Sequence, residues 1–334
     1  MPIGRAERLP LLEQIEAERQ AAVICYFTGD RENLGTRIAP DVIRVFYRHL
    51  LALGPRPRLD LFLYTRGGDV LTPWRLVNLL REFTQYLSVL VPFRAASAGT
   101  LLCLGANEIV MGSLGELGPI DPSVANAFNP EDPHNPVARL PVSVEDVMAY
   151  LSLAREIAGL ESEGSLAGVF NRLVDKVHPL ALGNVHRNYA LIRSLARKLL
   201  ELHMPGEERD RVEDIIKNLT QRLYAHNHMI SRREAVQDIK LHVTAPSARL
   251  EDLMWQLYLD YEADLKLLEP FNPAALLKPQ EYSVEFEATG GIIESIPCLD
   301  AFVFNGTITR ESQPREGAPP VNVTFTRQGW RQLI

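Results

Sequence analysis

At 334 residues the chain is too long for one small core and calls for one large domain or two modest ones. A hydrophobic content of 46% with 23% charged residues is that of an ordinary folded protein, and a net charge of -7 speaks against a nucleic-acid face, which needs a basic patch. Cys25, Cys103 and Cys298 are widely spaced among apolar neighbours, which predicts buried free thiols in a reducing compartment and neither a disulfide framework nor a zinc site.

The first twenty residues are charged and helical in pattern, with no apolar core of a secretory leader, and no apolar run approaches the ~20 residues that span a bilayer. A cytoplasmic protein without a transmembrane segment is therefore expected. Ala21 to Phe27 reads as a buried strand ending at Thr28-Gly29-Asp30. Pro40 and Asp41 open a helix whose Val42, Val45, Phe46, Leu50 and Leu53 recur at three and four, and Gly54-Pro55 stops it. The next strand, Leu59 to Thr65, feeds the pair Gly67-Gly68. Thr72 and Pro73 open a second helix with a stripe of Leu76, Leu79, Leu80 and Phe83. A third strand, Leu87 to Phe93, leads to Ser97 and a helix over about Ala98 to Ala106. Glu108 to Gly112 forms a fourth. Nearly all-apolar strands alternating with helices imply an α/β fold, a parallel sheet covered on both faces.

Ala125 to Pro141, rich in Asn and Pro, reads as a connecting loop. From Val142 to about Leu268 the pattern is helical, with helices expected near 166–177, 188–202, 209–226 and 247–268. From Tyr282 the chain turns to β, with Asn305-Gly306-Thr307 as a hairpin turn. The expected division is 1–140, a catalytic core with its loops; 141–270, a helical region completing that core; and 271–334, a β-rich segment.

Two loops carry the chemistry. A glycine pair after a strand can present bare backbone N–H groups, since no Cβ blocks approach. A serine among small residues (Ala96, Ala98, Gly99) at a helix start leaves its hydroxyl open to attack a carbonyl. Both loops follow parallel strands one unit apart, so both reach the same carboxyl edge of the sheet. Ser97 is then the candidate nucleophile, the N–H groups of Gly68 and Ala98 the oxyanion donors, and Gly67 lies against the substrate. No G-x-x-x-x-G-K-[ST] phosphate loop occurs.

Thr-Arg-Gly-Gly-Asp (65–69), A-x-S-A-G-T-L-L-C-L-G-A-N-E-I-V-M-G (95–112) and L-G-P-I-D-P (117–122), in that order, resemble the serine dehydrogenase proteinase family, of the Clp protease class within the Clp/crotonase fold. The likeness is strong over Ala21 to Ser123 and looser over Lys176 to Arg187 and His226 to Ala235. It implies a Clp/crotonase-like core and an ATP-independent serine endopeptidase that needs no cofactor or metal. Its partners would be a peptide or protein substrate and further copies of itself in a homo-oligomer. It also implies the nucleophile at Ser97 and the oxyanion donors at Gly68 and Ala98.

The general base departs from the pattern. Clp-type subunits carry a histidine before a proline where this chain has Ile120. Signal peptide peptidase A types use a lysine from a later helix, and the matching stretch here, VMAYLSLAREIAGL, holds only Arg155, which stays protonated. Lys176 and His178 lie in the shared later segment and are the candidate bases. His178 suits at its ordinary pKa; a lysine first needs burial. Asp121 is placed to orient a base or bind substrate. His226 and His228, two residues apart, lack a third spaced ligand, so no metal is expected. Two other readings are a crotonase-type acyl-thioester enzyme using the same oxyanion hole, and an inactive oligomeric scaffold that lost its base.

Overall fold

Strands that are apolar on both faces need cover on both, and the chain supplies it from two directions. The computed structural model describes residues 4–120, 123–124, 127–132, 135–140, 142–204, 206–221, 228–311 and 321–334. The first stretch holds α1 (Arg5–Arg19), β1 (Ala22–Thr28), α2 (Val42–Leu53), β2 (Arg56–Tyr64), α3 (Thr72–Arg81), β3 (Thr84–Val91), β4 (Arg94–Ala95), α4 (Ala98–Leu104), β5 (Glu108–Met111) and β6 (Glu116–Leu117). The middle holds β7 (Ser123–Val124), β8 (Glu131–Asp132), β9 (Asn135–Arg139), β10 (Val142–Ser143), α5 (Val144–Ser152), α6 (Glu163–Val174), α7 (Pro179–Glu201) and α8 (Arg209–Gln221). The last stretch holds β11 (Ile230–Ser231), α9 (Arg232–Gln237), β12 (Val243–Thr244), α10 (Ala248–Leu265), β13 (Ser283–Glu294), β14 (Leu299–Arg310) and β15 (Val321–Gln332). Two compact units result, cutting across the three-part division expected from the sequence: Met1–Leu117 with Ile230–Ile334, and Gly118–Met229.

The first unit is built on an eight-stranded sheet in the order β12-β5-β3-β2-β1-β13-β14-β15. The strands from β12 to β1 are parallel, and β13, β14 and β15 add antiparallel ones. Strand alternation divides the cover. Val23, Cys25, Phe27, Phe62, Tyr64, Leu90 and Val110 pack with Leu12 and Ile15 of α1 and with Leu250, Leu253, Met254, Leu257, Tyr258, Tyr261 and Leu265 of α10. Side chains of the other parity turn to the opposite face, where Tyr26 meets Phe46 of α2 edge-on at 5.4 Å. A small second sheet, β11-β6-β4, stands beside the carboxyl end of the main one, tied to it by a parallel bridge between Thr65 and Ala95. All three cysteines are free and buried.

The second unit is mainly helical. Val142, Val144 and Val185 form one small core, and α7 and α8 bury Ile192, Leu195, Leu199, Val212, Ile215 and Leu219. The segment expected as a plain loop contains an antiparallel pair, β8 with β9, because Asn135 to Arg139 extends beside Glu131 and Asp132. The helix expected from Asn188 begins earlier, at Pro179, since proline suits a first helical position and His178 caps it.

Asn305-Gly306 forms no hairpin turn. It lies within β14 at a register shift against β15, where a Cβ on Gly306 would stand 2.6 Å from the Phe286 ring. Close backbone approach, not turn geometry, accounts for this glycine.

One ionic cluster joins both ends of the first unit. Arg8, fully buried on α1, donates through Nε to Glu294 of β13 at 2.7 Å and through Nη1 to Asp260 of α10 at 2.8 Å. It also pairs with Asp264, and the Tyr261 hydroxyl donates to Glu294 at 3.0 Å. A buried carboxylate that loses its cation is costly. Arg8→Met should therefore lower the unfolding free energy by about 3–5 kcal/mol, read from urea midpoints; an unchanged midpoint would show the cluster to be idle.

Candidate active site

The site is set by one residue whose backbone conformation only glycine adopts freely. Ser97 lies between β4 and α4 with φ 55° and ψ -113°. A serine held this way on a strand-to-helix turn carries its Oγ out of the turn, the geometry of a nucleophile elbow. Small neighbours make it possible. A Cβ on Gly99 would meet Thr65 Cγ2 at 2.4 Å, so this glycine lets α4 lie against the end of β2.

The Gly67-Gly68 loop sits directly on Ser97. A Cβ on Gly67 would come within 2.8 Å of Ser97 Cβ and 3.2 Å of its Oγ. The loop is clamped from both sides. Thr65 N–H donates to Arg94 O at 2.9 Å, and Ala96 N–H to Thr65 O at 3.0 Å. On the other side Ile38 N–H donates to Gly67 O at 2.9 Å, and Asp69 N–H to Ile38 O at 2.8 Å. These two bonds flank Gly68, and a parallel bridge of this kind turns the central residue's own N–H away from its partner. The φ values of Gly67, 111°, and Gly68, 153°, belong to glycine, and a Cβ on Gly68 would strike Ile38 O at 2.1 Å.

Hydrogen bonding separates the candidate donors. Gly67 N–H is taken by Thr65 Oγ1 at 3.0 Å, and Thr65 is itself held by Thr28 Oγ1 at 2.7 Å. Among the described residues, neither Gly68 N–H nor Ala98 N–H meets an acceptor, and Ser97 Oγ has no hydrogen-bond partner. Two open donors and one open hydroxyl are thus gathered at the carboxyl edge of the sheet. Ser97 is half-buried; Ala98 is buried.

The remaining candidates belong to the second unit. Lys176 is exposed just after α6. His178 is also exposed and caps α7: its Nδ1 accepts from Leu180 N–H at 3.2 Å, and its ring stacks on Phe128 with centroids 5.0 Å apart. A ring nitrogen that accepts holds a lone pair, so in the neutral imidazole the proton is on Nε2. Ile120 is buried. Asp121 and His226 lie outside the described residues. Thr65 and Ile38, which hold the glycine loop, had no sequence signal: Thr65 reads as the last residue of a strand, and Ile38 lies in a stretch without periodicity.

The parallel sheet thus brings a serine at a strand-to-helix turn and a glycine loop together. Residues 6–132 match the family model described as ClpP-like SDH-type serine proteinase, the family that the motifs resemble. The match runs from α1 to β8 and contains both loops. Two uncharacterized proteins of Methanocaldococcus jannaschii are similar: one is 31% identical over 124 residues, 35% of this chain and 43% of the relative. The other is 35% identical over 66 residues, 20% of this chain and 23% of the relative. The chain thus aligns with less than half the length of either. Two solved structures of the 1510-N membrane-bound stomatin-specific protease also align. A lysine-to-alanine mutant in complex with a substrate peptide covers 64% of this chain and 73% of its own, at 13% identity and TM-score 0.38. A serine-to-alanine mutant covers 63% and 73%, at 16% identity and TM-score 0.34.

The strain at Ser97 is measurable. Ser97→Gly should be more stable than Ser97→Ala by about 1 kcal/mol or more in urea, because glycine relieves the left-handed backbone and alanine does not; equal midpoints would mean an unstrained turn. Gly68→Ala, whose Cβ would strike Ile38 O at 2.1 Å, should lower the urea midpoint; an unchanged midpoint would mean that the loop yields without cost.

Proposed function

We propose that the chain is an ATP-independent serine endopeptidase in which Ser97 Oγ attacks the scissile carbonyl. The oxyanion forms between the N–H groups of Gly68 and Ala98. The base takes the Oγ proton as the C–O bond forms and returns it to the leaving amine as the C–N bond breaks. Water then releases the acyl group from Ser97 and restores the hydroxyl. The observation that carries this reading is the strained Ser97 turn, with its Oγ free and two unoccupied N–H donors beside it. The match of residues 6–132 to a serine proteinase family supports it.

Gly67 in this scheme forms the wall against which the substrate backbone lies, and Asp121 contacts substrate or orients the base. The base is drawn from Lys176 and His178. The α7 cap occupies the lone pair that His178 Nδ1 would use, and Lys176, being exposed, lacks the burial that a lysine base needs, so neither is favoured over the other. The enzyme works as a homo-oligomer in the cytoplasm. Among the described residues no helix is long and apolar enough to cross a membrane.

Ser97→Ala should lower kcat roughly 10⁶-fold, as loss of a serine nucleophile does elsewhere, with an unchanged circular dichroism spectrum. Of Lys176→Ala and His178→Ala, the variant that abolishes turnover identifies the base; full activity in both would reject both.

A further inference from the structure

A cleft of about 430 Å³ opens in the first unit at the carboxyl ends of β3 and β5, on the side covered by α10. This volume is in the range of ligand sites. Pro92 and Leu114 come from the loops that follow the two strands, and Met254 and Trp255 come from α10. Leu114 is 56% exposed, a large apolar side chain left to solvent beside the opening. Glu251 and Asp252 lie on the rim.

The walls are held in place. The Trp255 ring stacks on Tyr258 at 4.9 Å and 18°, and Tyr258 stands edge-on to Phe93 at 5.6 Å. Glu251 Oε1 accepts from Ser113 N–H at 2.6 Å, and Asp252 Oδ2 accepts from Gln256 Nε2 at 2.7 Å. Ser113 holds the Glu251 carboxyl below the usual carboxylate range, with help from the field of Arg232. The Arg232 guanidinium itself donates to Met111 O at 3.0 Å. Two carboxylates and, among the described residues, no lysine or arginine line the cleft, with Arg232 acting on Glu251 alone, so the local balance is negative.

Position links the cleft to Ser97. Pro92 precedes Ser97 by five residues, so its wall lies at most roughly 18 Å from the nucleophile along the chain. A peptide extended from Ser97 covers that distance in about five residues.

We infer that this cleft is a subsite for a basic side chain, lysine or arginine, of a peptide substrate. The aliphatic stem lies on Leu114, and the cation sits over the Trp255 ring between Glu251 and Asp252. An acidic side chain would meet two like charges. A purely apolar one would cover both carboxylates without pairing them, which is unfavourable. The word substrate rests on the peptidase reading above; the binding preference does not.

The test uses Ser97→Ala protein and three fluorescein-labelled peptides of one sequence, carrying Arg, Leu or Glu about five residues from the centre, read by fluorescence anisotropy. The Arg peptide should bind about tenfold tighter than the Glu peptide, the size of a cation–π contact plus a partly exposed charge pair. Asp252→Lys, at an exposed position, should reverse that order, and Trp255→Leu should remove the advantage of Arg over Leu. Equal affinities, or an unchanged order in Asp252→Lys, would overturn the subsite. Charge-selective binding without turnover by the wild type would sink the peptidase reading and leave the subsite standing. Turnover with no charge preference in binding or kcat/KM would do the reverse.

Discussion

The left-handed turn at Ser97 exists only because its surroundings hold it there. An L-residue loses free energy at this φ and ψ, so neighbours must fix both flanks. On one side Ala95 and Ala96 are bound to the end of β2 through Thr65. On the other, Thr100 Oγ1 donates to Ala95 O at 3.0 Å and Gly99 N–H to Ala96 O at 2.8 Å, closing the first turn of α4 on the serine. Gly67 then packs on the Ser97 side chain with no room for a methyl group. Two features of the proposed chemistry follow from this restraint, the Oγ without a hydrogen-bond partner and the uncommitted Ala98 N–H; the bridge to Ile38 leaves the third, the Gly68 N–H.

The restraint is only as firm as the strands that deliver it. β2 and β3 are parallel neighbours in the middle of the sheet, so the loops after them are forced to the same edge. One face of those strands is locked by α1 and α10, which meet through Arg8, Asp260 and Asp264 and are pinned to β13 through Glu294. On the other face, buried His49 of α2 bridges Ser295 at 2.7 Å and Asp300 at 3.0 Å. That Ser–His–Asp contact has the residue types of a hydrolytic triad, but all three side chains are fully buried. It serves as a clamp between a helix and the β13–β14 turn.

Much of this was legible in the sequence. Apolar runs near 22, 61, 89 and 109 announced the buried strands, and the three- and four-residue spacing of Val42, Val45, Phe46 and Leu50 announced α2. Ser97 and Gly68 were marked by small residues in a place where strand meets helix. Less was legible where the signal depends on long-range contact. Asn305-Gly306 has turn chemistry, yet pairing on both sides drew it into a strand. The return of β13, β14 and β15 to the edge of the parallel sheet has no local signature, because register between distant strands is set by packing. The clamp at Ile38 and the Thr65 hydroxyl that occupies Gly67 N–H were likewise invisible, since only the fold brings them together. The base stayed open for a chemical reason: neither the expected histidine nor the expected helix lysine stands at its place in the motif.

The central claim is that Ser97 is an activated nucleophile, and covalent labelling tests it most directly. Purified protein is treated with a fluorophosphonate probe beside Ser97→Ala, and the adduct is mapped by mass spectrometry. The account predicts a single adduct, on Ser97, absent from the variant. Labelling at another serine, or equal labelling of both proteins, would contradict it.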